Sequence, residues 1–211
     1  VSYAHSKGYG VSNLSMSMTE GEFAFLIGPT GSGKTTLMRL VYFDLLPDTG
    51  QVKVNGFFSN KISKRHIPTA RRSIGMVFQD YKLLSDRTLF ENISLPLHVL
   101  GFKTKEIKSR VEEVLDLVGL LGKEDHFSFE WSGGEQQRAC LARAIIKEPD
   151  VILADEPTGN LDPVASFELV RLLETINETG TTILMASHNY SLIKGRGKPI
   201  YELKDGVLRV R

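Results

Sequence analysis

Gly28-Pro29-Thr30-Gly31-Ser32-Gly33-Lys34-Thr35 is the stretch whose reading decides the fold. Its spacing fits G-x-x-x-x-G-K-[ST], in which glycines let successive backbone N–H groups point into one concavity. The N-terminal partial positive charge of a following helix adds to the pull on a phosphate. Lys34 is suited to neutralising the terminal phosphates of a nucleotide, and the Thr35 hydroxyl to sitting on Mg²⁺. The flanks agree with this reading. Upstream, Phe23-Ala24-Phe25-Leu26-Ile27 is a short unbroken apolar run, the mark of a strand buried on both faces. Downstream, Leu37, Leu40 and Val41 recur at helical spacing. The order is strand, glycine loop, helix. Gly28 through Thr35, with Thr36 beside them, are therefore the candidate nucleotide-binding residues.

Further along, Val151-Ile152-Leu153-Ala154 is a second apolar run and ends in two acids, Asp155 and Glu156. Acids at the carboxyl end of a parallel strand face the crevice where ligands of α/β sheets lie. Asp155 is placed to hold Mg²⁺ through water, and Glu156 to orient or deprotonate an attacking water. Ile74 to Phe78 and Thr181 to Ala186 read as further buried strands. The rough alternation of Val11, Leu14, Met16 and Met18 predicts another, and Gln51 to Val54 a strand before an Asn55-Gly56 hairpin turn. A hairpin around Asp205-Gly206 closes the chain. From Leu83 to Lys147 the character is helical. Ile107, Val111, Val114, Leu115 and Val118 share one face of an amphipathic helix that ends near Gly119, and a helix from about Gly134 stops before Pro149. A helix follows from about Val164 to Asn177. A helical block thus interrupts an α/β core, in one domain with two lobes.

The 211 residues suffice for one substantial core. A net charge of +1 without a basic arm argues against nucleic acid as a partner, so phosphate recognition has to be local. No apolar run approaches the roughly 18 residues that span a bilayer. A membrane, if one is involved, comes with another polypeptide. The chain opens Val1-Ser2-Tyr3, which reads as a trimmed start rather than a secretory leader. The single cysteine, Cys140, rules out an internal disulfide and fits a reducing compartment. Set among Ala139, Leu141 and Ala142, it reads as a small buried hydrophobe. His5, His66, His98 and His126 show no metal-ligand spacing and receive no role.

Trp131-Ser132-Gly133-Gly134-Glu135-Gln136-Gln137-Arg138 supplies a second pair of glycines opening a helix, a second phosphate-friendly loop with Ser132 as an added donor. This run resembles the signature motif of the ABC ATPases, and the likeness extends over nearly the whole chain. The resemblance implies an α/β fold of the P-loop NTPase class: a mixed-sheet core lobe over about 1–82 and 148–211 and an inserted α-helical subdomain over about 83–147. It also implies that Ser132, Gly133, Gly134 and Glu135 cover the ATP held by a second copy in a head-to-tail homodimer. Gln79 matches the glutamine that senses Mg²⁺ and the attacking water and links to the membrane partner. His188 matches the histidine that hydrogen-bonds the γ-phosphate. Thr158 to Asp162 resembles the loop through which the subunits communicate. Tyr3 is the candidate to stack on adenine, with Tyr9 as competitor. A stacked aromatic accepts any base, which predicts weak discrimination among nucleotides.

Within the family, Val77 to Thr88 looks most like the cell-division branch, whose ATPase works with a permease-like integral membrane subunit at the cytoplasmic face of the bacterial plasma membrane. The run Asp155 to Asp162 is shared with the ATPases of lipoprotein release and macrolide export, which remain an alternative. A nucleotide-gated binding module with incidental turnover is a reading from another class. The chain departs from the family pattern at three places. Trp131 stands where Leu is usual, Glu135 where many members have Gln, and Asn189 where Asp commonly follows the histidine. None removes a group that ATP hydrolysis requires.

Overall fold

The computed structural model describes residues 1–5, 10–204 and 206–210. Tyr9 and Asp205, both singled out above, lie outside the described residues. The elements run β1 (Tyr3–Ala4), β2 (Gly10–Val11), β3 (Phe23–Ile27), α1 (Lys34–Val41), β4 (Lys53–Val54), β5 (Phe57–Phe58), α2 (Ile67–Arg72) and β6 (Ile74–Val77). The helical stretch follows as α3 (Leu89–Leu100), α4 (Thr104–Leu117) and α5 (Gly133–Ile145). The chain returns to alternating elements with β7 (Val151–Asp155), α6 (Pro163–Glu178), β8 (Thr182–Ser187), α7 (Tyr190–Ile193), β9 (Ile200–Lys204) and β10 (Val207–Val210).

Six strands make the main sheet in the order β10-β9-β3-β8-β7-β6. All pair in parallel except β10, which turns back antiparallel on β9. The mixed sheet explains the unbroken apolar runs. In β3, Phe23, Phe25 and Ile27 enter one core while Ala24 and Leu26 enter the other. β8 divides the same way, Ile183 and Met185 against Leu184 and Ala186. Successive side chains point to opposite faces, and both faces are covered, so every position has to be apolar. The first core also holds residues of α3, α4, α5 and α6, and the second those of α1, Leu37, Met38 and Leu40. Burying each such side chain stabilises the fold by roughly 2 kcal/mol. Phe25, fully buried, is a position where truncation to Ala costs about 3–5 kcal/mol.

Helix starts follow from local chemistry. Thr88 caps α3 and Ser132 caps α5, each in a reciprocal box with the glutamate three residues on, Glu91 and Glu135. Asp162 accepts from the N–H groups of Val164 and Ala165, and Pro163 opens α6. Gly101 ends α3 in the left-handed conformation at φ +82°.

Two expectations differ from the structure. The alternation from Val11 to Met18 yields a strand only at Gly10–Val11, paired with Tyr3–Ala4. Met16 and Met18 are half-buried against the second core without a ladder partner. Alternation reports one apolar face, and an extended segment pinned by the bond from Leu14 N–H to Val1 O satisfies it without a sheet. Residues 83–88 are not helical. The buried Asn92 on α3 binds Leu84 through both its N–H and its C=O and holds this segment as a loop. No helix among the described residues is long and apolar enough to cross a membrane.

Candidate functional site

The glycine loop joins β3 to α1, and its backbone is one that other residues resist. Gly33 caps α1 at φ +104°, and a Cβ there would lie 2.6 Å from Val11 Cγ1. At Gly28 a Cβ would meet Leu203 O at 2.2 Å. The loop therefore packs directly on β2 and β9, which aims the start of α1 into a cleft of about 410 Å³. That cleft is lined by Thr30, Gly31, Gly33, Lys34, Thr35 and Thr36 from the loop and α1, and by His5, Gly10, Gln79, Glu156 and His188 from elsewhere. An adjoining cleft of about 470 Å³ takes Tyr3, Pro29 and Ser32.

Three side chains converge in the first cleft. Lys34 Nζ donates to Gly28 O at 2.7 Å and Pro29 O at 3.2 Å, and lies 3.2 Å from Glu156 Oε1. The other oxygen, Oε2, accepts from the His188 backbone N–H at 3.2 Å and meets His188 Nδ1 at 2.9 Å. Glu156 reaches both because it sits just past β7 at φ +49°, a left-handed conformation that costs a non-glycine residue roughly 1 kcal/mol or more. The result is an anion-receiving cradle whose lysine is at present bonded to a carboxylate of the same chain.

Asp155 is buried, and burial pushes its carboxyl up from the usual range, opposed by a hydrogen bond from Thr35. Among the described residues its Oδ1 has no partner, and neither does the buried Ser32 hydroxyl. A buried carboxylate oxygen without a donor is costly. Next to the Thr35 hydroxyl it forms the oxygen set that a Mg²⁺ ion takes, with the ion's remaining positions left to water and phosphate. The residues fit the metal.

Gln79 follows β6 and lines the same cleft. Asn160 Nδ2 donates to its carbonyl at 3.2 Å, and its Nε2 lies 3.0 Å from the Cβ position of Gly159. The loop Thr158 to Asp162 is thus laid against Gln79. On the far side, α5 grips the same segment. Gln137 Nε2 bonds Phe78 O, Cys140 Sγ bonds Tyr81 O at 2.8 Å, and Arg143 bonds both Tyr81 O and Lys82 O. Tyr81 and Lys82 are both left-handed, φ +58° and +52°. Cys140 is buried as expected, and its thiol is pushed up to about 12, mainly by burial, which leaves it unreactive.

Tyr3 sits at the edge of the second cleft with its ring edge-on to His5, centroids 4.9 Å apart. His5 received no role from the sequence, yet its Nε2 meets Thr36 Oγ1 at 3.1 Å inside the first cleft. A lone histidine with no spacing partner offers no sequence signal, since only the β1–β2 turn-back brings it to α1. Ser132, Gly133, Gly134 and Glu135 line neither cleft. A single chain brings Lys34, Glu156, His188, Gln79, Thr35 and Asp155 together and leaves the second glycine loop apart.

Residues 11–159 match the family model described as ABC transporter. The chain is 50% identical over 193 residues to a protein of Streptococcus pneumoniae named cell division ATP-binding protein FtsE, covering 92% of this chain and 84% of that one. It is 46% identical over 206 residues to the protein of the same name from Mycobacterium tuberculosis, covering 98% and 90%. Its fold is similar to a dimeric bacterial ABC transporter cassette, MJ0796, with a TM-score of 0.89 and 32% identity over 100% of this chain and 94% of that one. The same cassette is known in a post-hydrolysis state bound to ADP and Pi.

Proposed function

The chain belongs to the ABC transporter family, and we propose that it closes as a homodimer around ATP, hydrolyses it with Glu156 as base, and drives an FtsX-like membrane subunit in cell division. It is an ATP-binding ATPase of this family. The observation that carries the finer reading is the meeting of Lys34, Glu156 and His188 around the cradle.

ATP enters with its β- and γ-phosphates on the loop amides of Gly28 to Thr36 and on Lys34. The incoming phosphate competes with Glu156 for the lysine, which frees the carboxylate to take a proton from water. That water attacks the γ-phosphorus, the bond to the β-phosphate oxygen breaks, and ADP and phosphate result. His188 uses Nδ1 toward Glu156, leaving Nε2 as the nitrogen that donates to a γ-phosphate oxygen. Thr35 and Asp155, with Gln79 beside them, would hold Mg²⁺, which would supply charge neutralisation at the phosphates. Tyr3 provides the face for the adenine.

Ser132, Gly133 and Gly134 of a second copy, with Glu135 capping the start of their helix, complete the γ-phosphate shell, consistent with their place outside the clefts of one chain. Residues 83–147 then act as a lobe that moves with the partner's nucleotide. The permease-like subunit docks by Gln79 and residues 83–89, where Leu84 is exposed, as are Leu95 and Val99 of α3. This seats the chain peripherally on the cytoplasmic face of the membrane.

The test is Glu156→Gln. Turnover is expected to fall by about 10²- to 10⁴-fold, the usual worth of a general base, while an ATP-bound dimer accumulates on a sizing column. Undiminished turnover removes Glu156 from the role, and co-purification of that variant with ATP from native membranes identifies the partner.

A further inference from the structure

The second glycine loop contains an acid where an anion is to be received. Glu135 Oε2 accepts from the Ser132 backbone N–H at 2.8 Å and from Ser132 Oγ at 2.9 Å. These are the same two donors that Ser132 has to offer a phosphate. A second acid, Glu130, lies just upstream with its Oε2 on Phe127 N–H at 2.6 Å. Left uncompensated, this carboxylate pair would repel a triphosphate. Glu135 stays ionised at working pH, its carboxyl lowered to about 2, chiefly by a hydrogen bond from Lys123.

Lys123 is twelve residues upstream, and its ammonium is bonded to Glu135 Oε1. Its backbone is fixed in a turn: Lys123 N–H donates to Leu120 O at 3.2 Å, and its carbonyl accepts from His126 N–H at 3.0 Å. The turn is in turn tied to α3, since Leu89 N–H donates to His126 O at 2.9 Å. The folded backbone thus fixes the point from which the Lys123 side chain reaches Glu135. It engages the carboxylate oxygen that Ser132 does not use.

We propose that Lys123 is the built-in counter-charge that lets the Ser132–Glu135 loop receive the terminal phosphate bound to a second copy of this chain. The inference rests on the reading that this loop covers the other copy's nucleotide. When the phosphate arrives, the Ser132 hydroxyl and amide turn from Glu135 to it. Lys123 keeps Glu135 paired as those donors leave and cancels its charge. Lys123 is a positioning residue; it touches neither water nor the reacting phosphorus.

The experiment uses the full chain carrying Glu156→Gln, with ATP-dependent dimerisation read by sedimentation velocity and ADP binding by calorimetry. Adding Lys123→Ala is expected to raise the protein concentration needed for dimerisation about tenfold, because the Glu135 charge then faces the incoming phosphate uncompensated. ADP affinity, which concerns the first cradle alone, stays unchanged. Lys123→Arg keeps dimerisation, and the combination Lys123→Ala with Glu135→Gln restores it to within about twofold of the parent. Dimerisation of Lys123→Ala at the parent's concentration overturns the proposal. So does a loss that Glu135→Gln fails to restore, which marks a packing role. If the Glu156→Gln parent itself stays monomeric with ATP, the dimer reading falls and this one with it; if the parent dimerises and Lys123→Ala matches it, only the counter-charge falls.

Discussion

The two glycine loops of this molecule solve one problem in different surroundings. Each places a glutamate and a lysine where an anion is to be bound: Glu156 on Lys34, and Glu135 on Lys123. The first pair is enclosed, with side-chain exposures of 7% for Lys34 and 12% for Glu156. The second is partly open, 38% for Lys123 and 19% for Glu135. Enclosure strengthens each charge interaction and raises the cost of leaving one charge alone. The open pair is screened and adjustable. The enclosed pair therefore suits chemistry within one chain, and the open pair suits a surface that meets and leaves a partner.

Lys34→Ala gives the largest effect on nucleotide binding and tests that contrast most directly. It deletes the cation at the cradle, so ATP affinity is expected to fall about a hundredfold, the worth of two charge-assisted hydrogen bonds at ~1.5 kcal/mol each. Calorimetry checks it. An affinity within threefold of the parent would mean that the loop amides alone grip the nucleotide. His188→Ala comes next. ATP should still bind, but turnover drops about tenfold, because Glu156 loses the group that orients it and the phosphate loses a donor. Equal losses in binding and turnover would place His188 in ground-state binding instead.

The unequal legibility of the two regions has a physical cause. The first loop, the strand before it and the acids after β7 are read from contiguous residues, because a strand, a tight turn and a helix start are local events. His188 and Gln79 were reached only through the family resemblance, since nothing in their own neighbours distinguishes a phosphate ligand from a structural side chain. The contacts of His5 and Lys123, and those of Gln137, Cys140 and Arg143 with backbone carbonyls, leave no signal in the sequence. Each acts across twelve or more residues on a backbone carbonyl, a hydroxyl or a carboxylate, which only the folded chain brings near. The strand expected through Met18 failed for the converse reason: a local pattern was present, but a strand also needs a neighbour to pair with.

Asp155→Asn separates function from stability within the enclosed region. Its buried Oδ1 has no donor among the described residues, so replacing the charge by a neutral amide should stabilise the metal-free protein by about 1 kcal/mol. The same change should remove the rise in melting temperature expected of the parent with Mg²⁺ and ATP. A variant that melts lower than the parent without metal would show that the carboxylate is already paired.

The smallest effect, and the one that sets the two regions in direct opposition, is the response to acid. Glu135 is lowered from its ordinary 4.5 to about 2 by Lys123 and Ser132. Folding therefore gains from it wherever the carboxylate is charged in both states. That gain is fully present above about pH 4.5 and is lost as pH falls toward about 2. Asp155 runs the other way. Its carboxyl is raised above 3.8, chiefly by burial, so its burden on the fold appears as pH rises past 3.8 and is relieved by acid. The melting temperature of Glu135→Gln should thus lie below the parent's near neutrality and converge on it by pH 2 to 3. That of Asp155→Asn should lie above the parent's near neutrality and converge on it from the opposite side. Differences that stay constant with pH would mean that neither acid's charge matters to folding, and the contrast between a buried acid of the first region and a paired one of the second would lose its electrostatic basis.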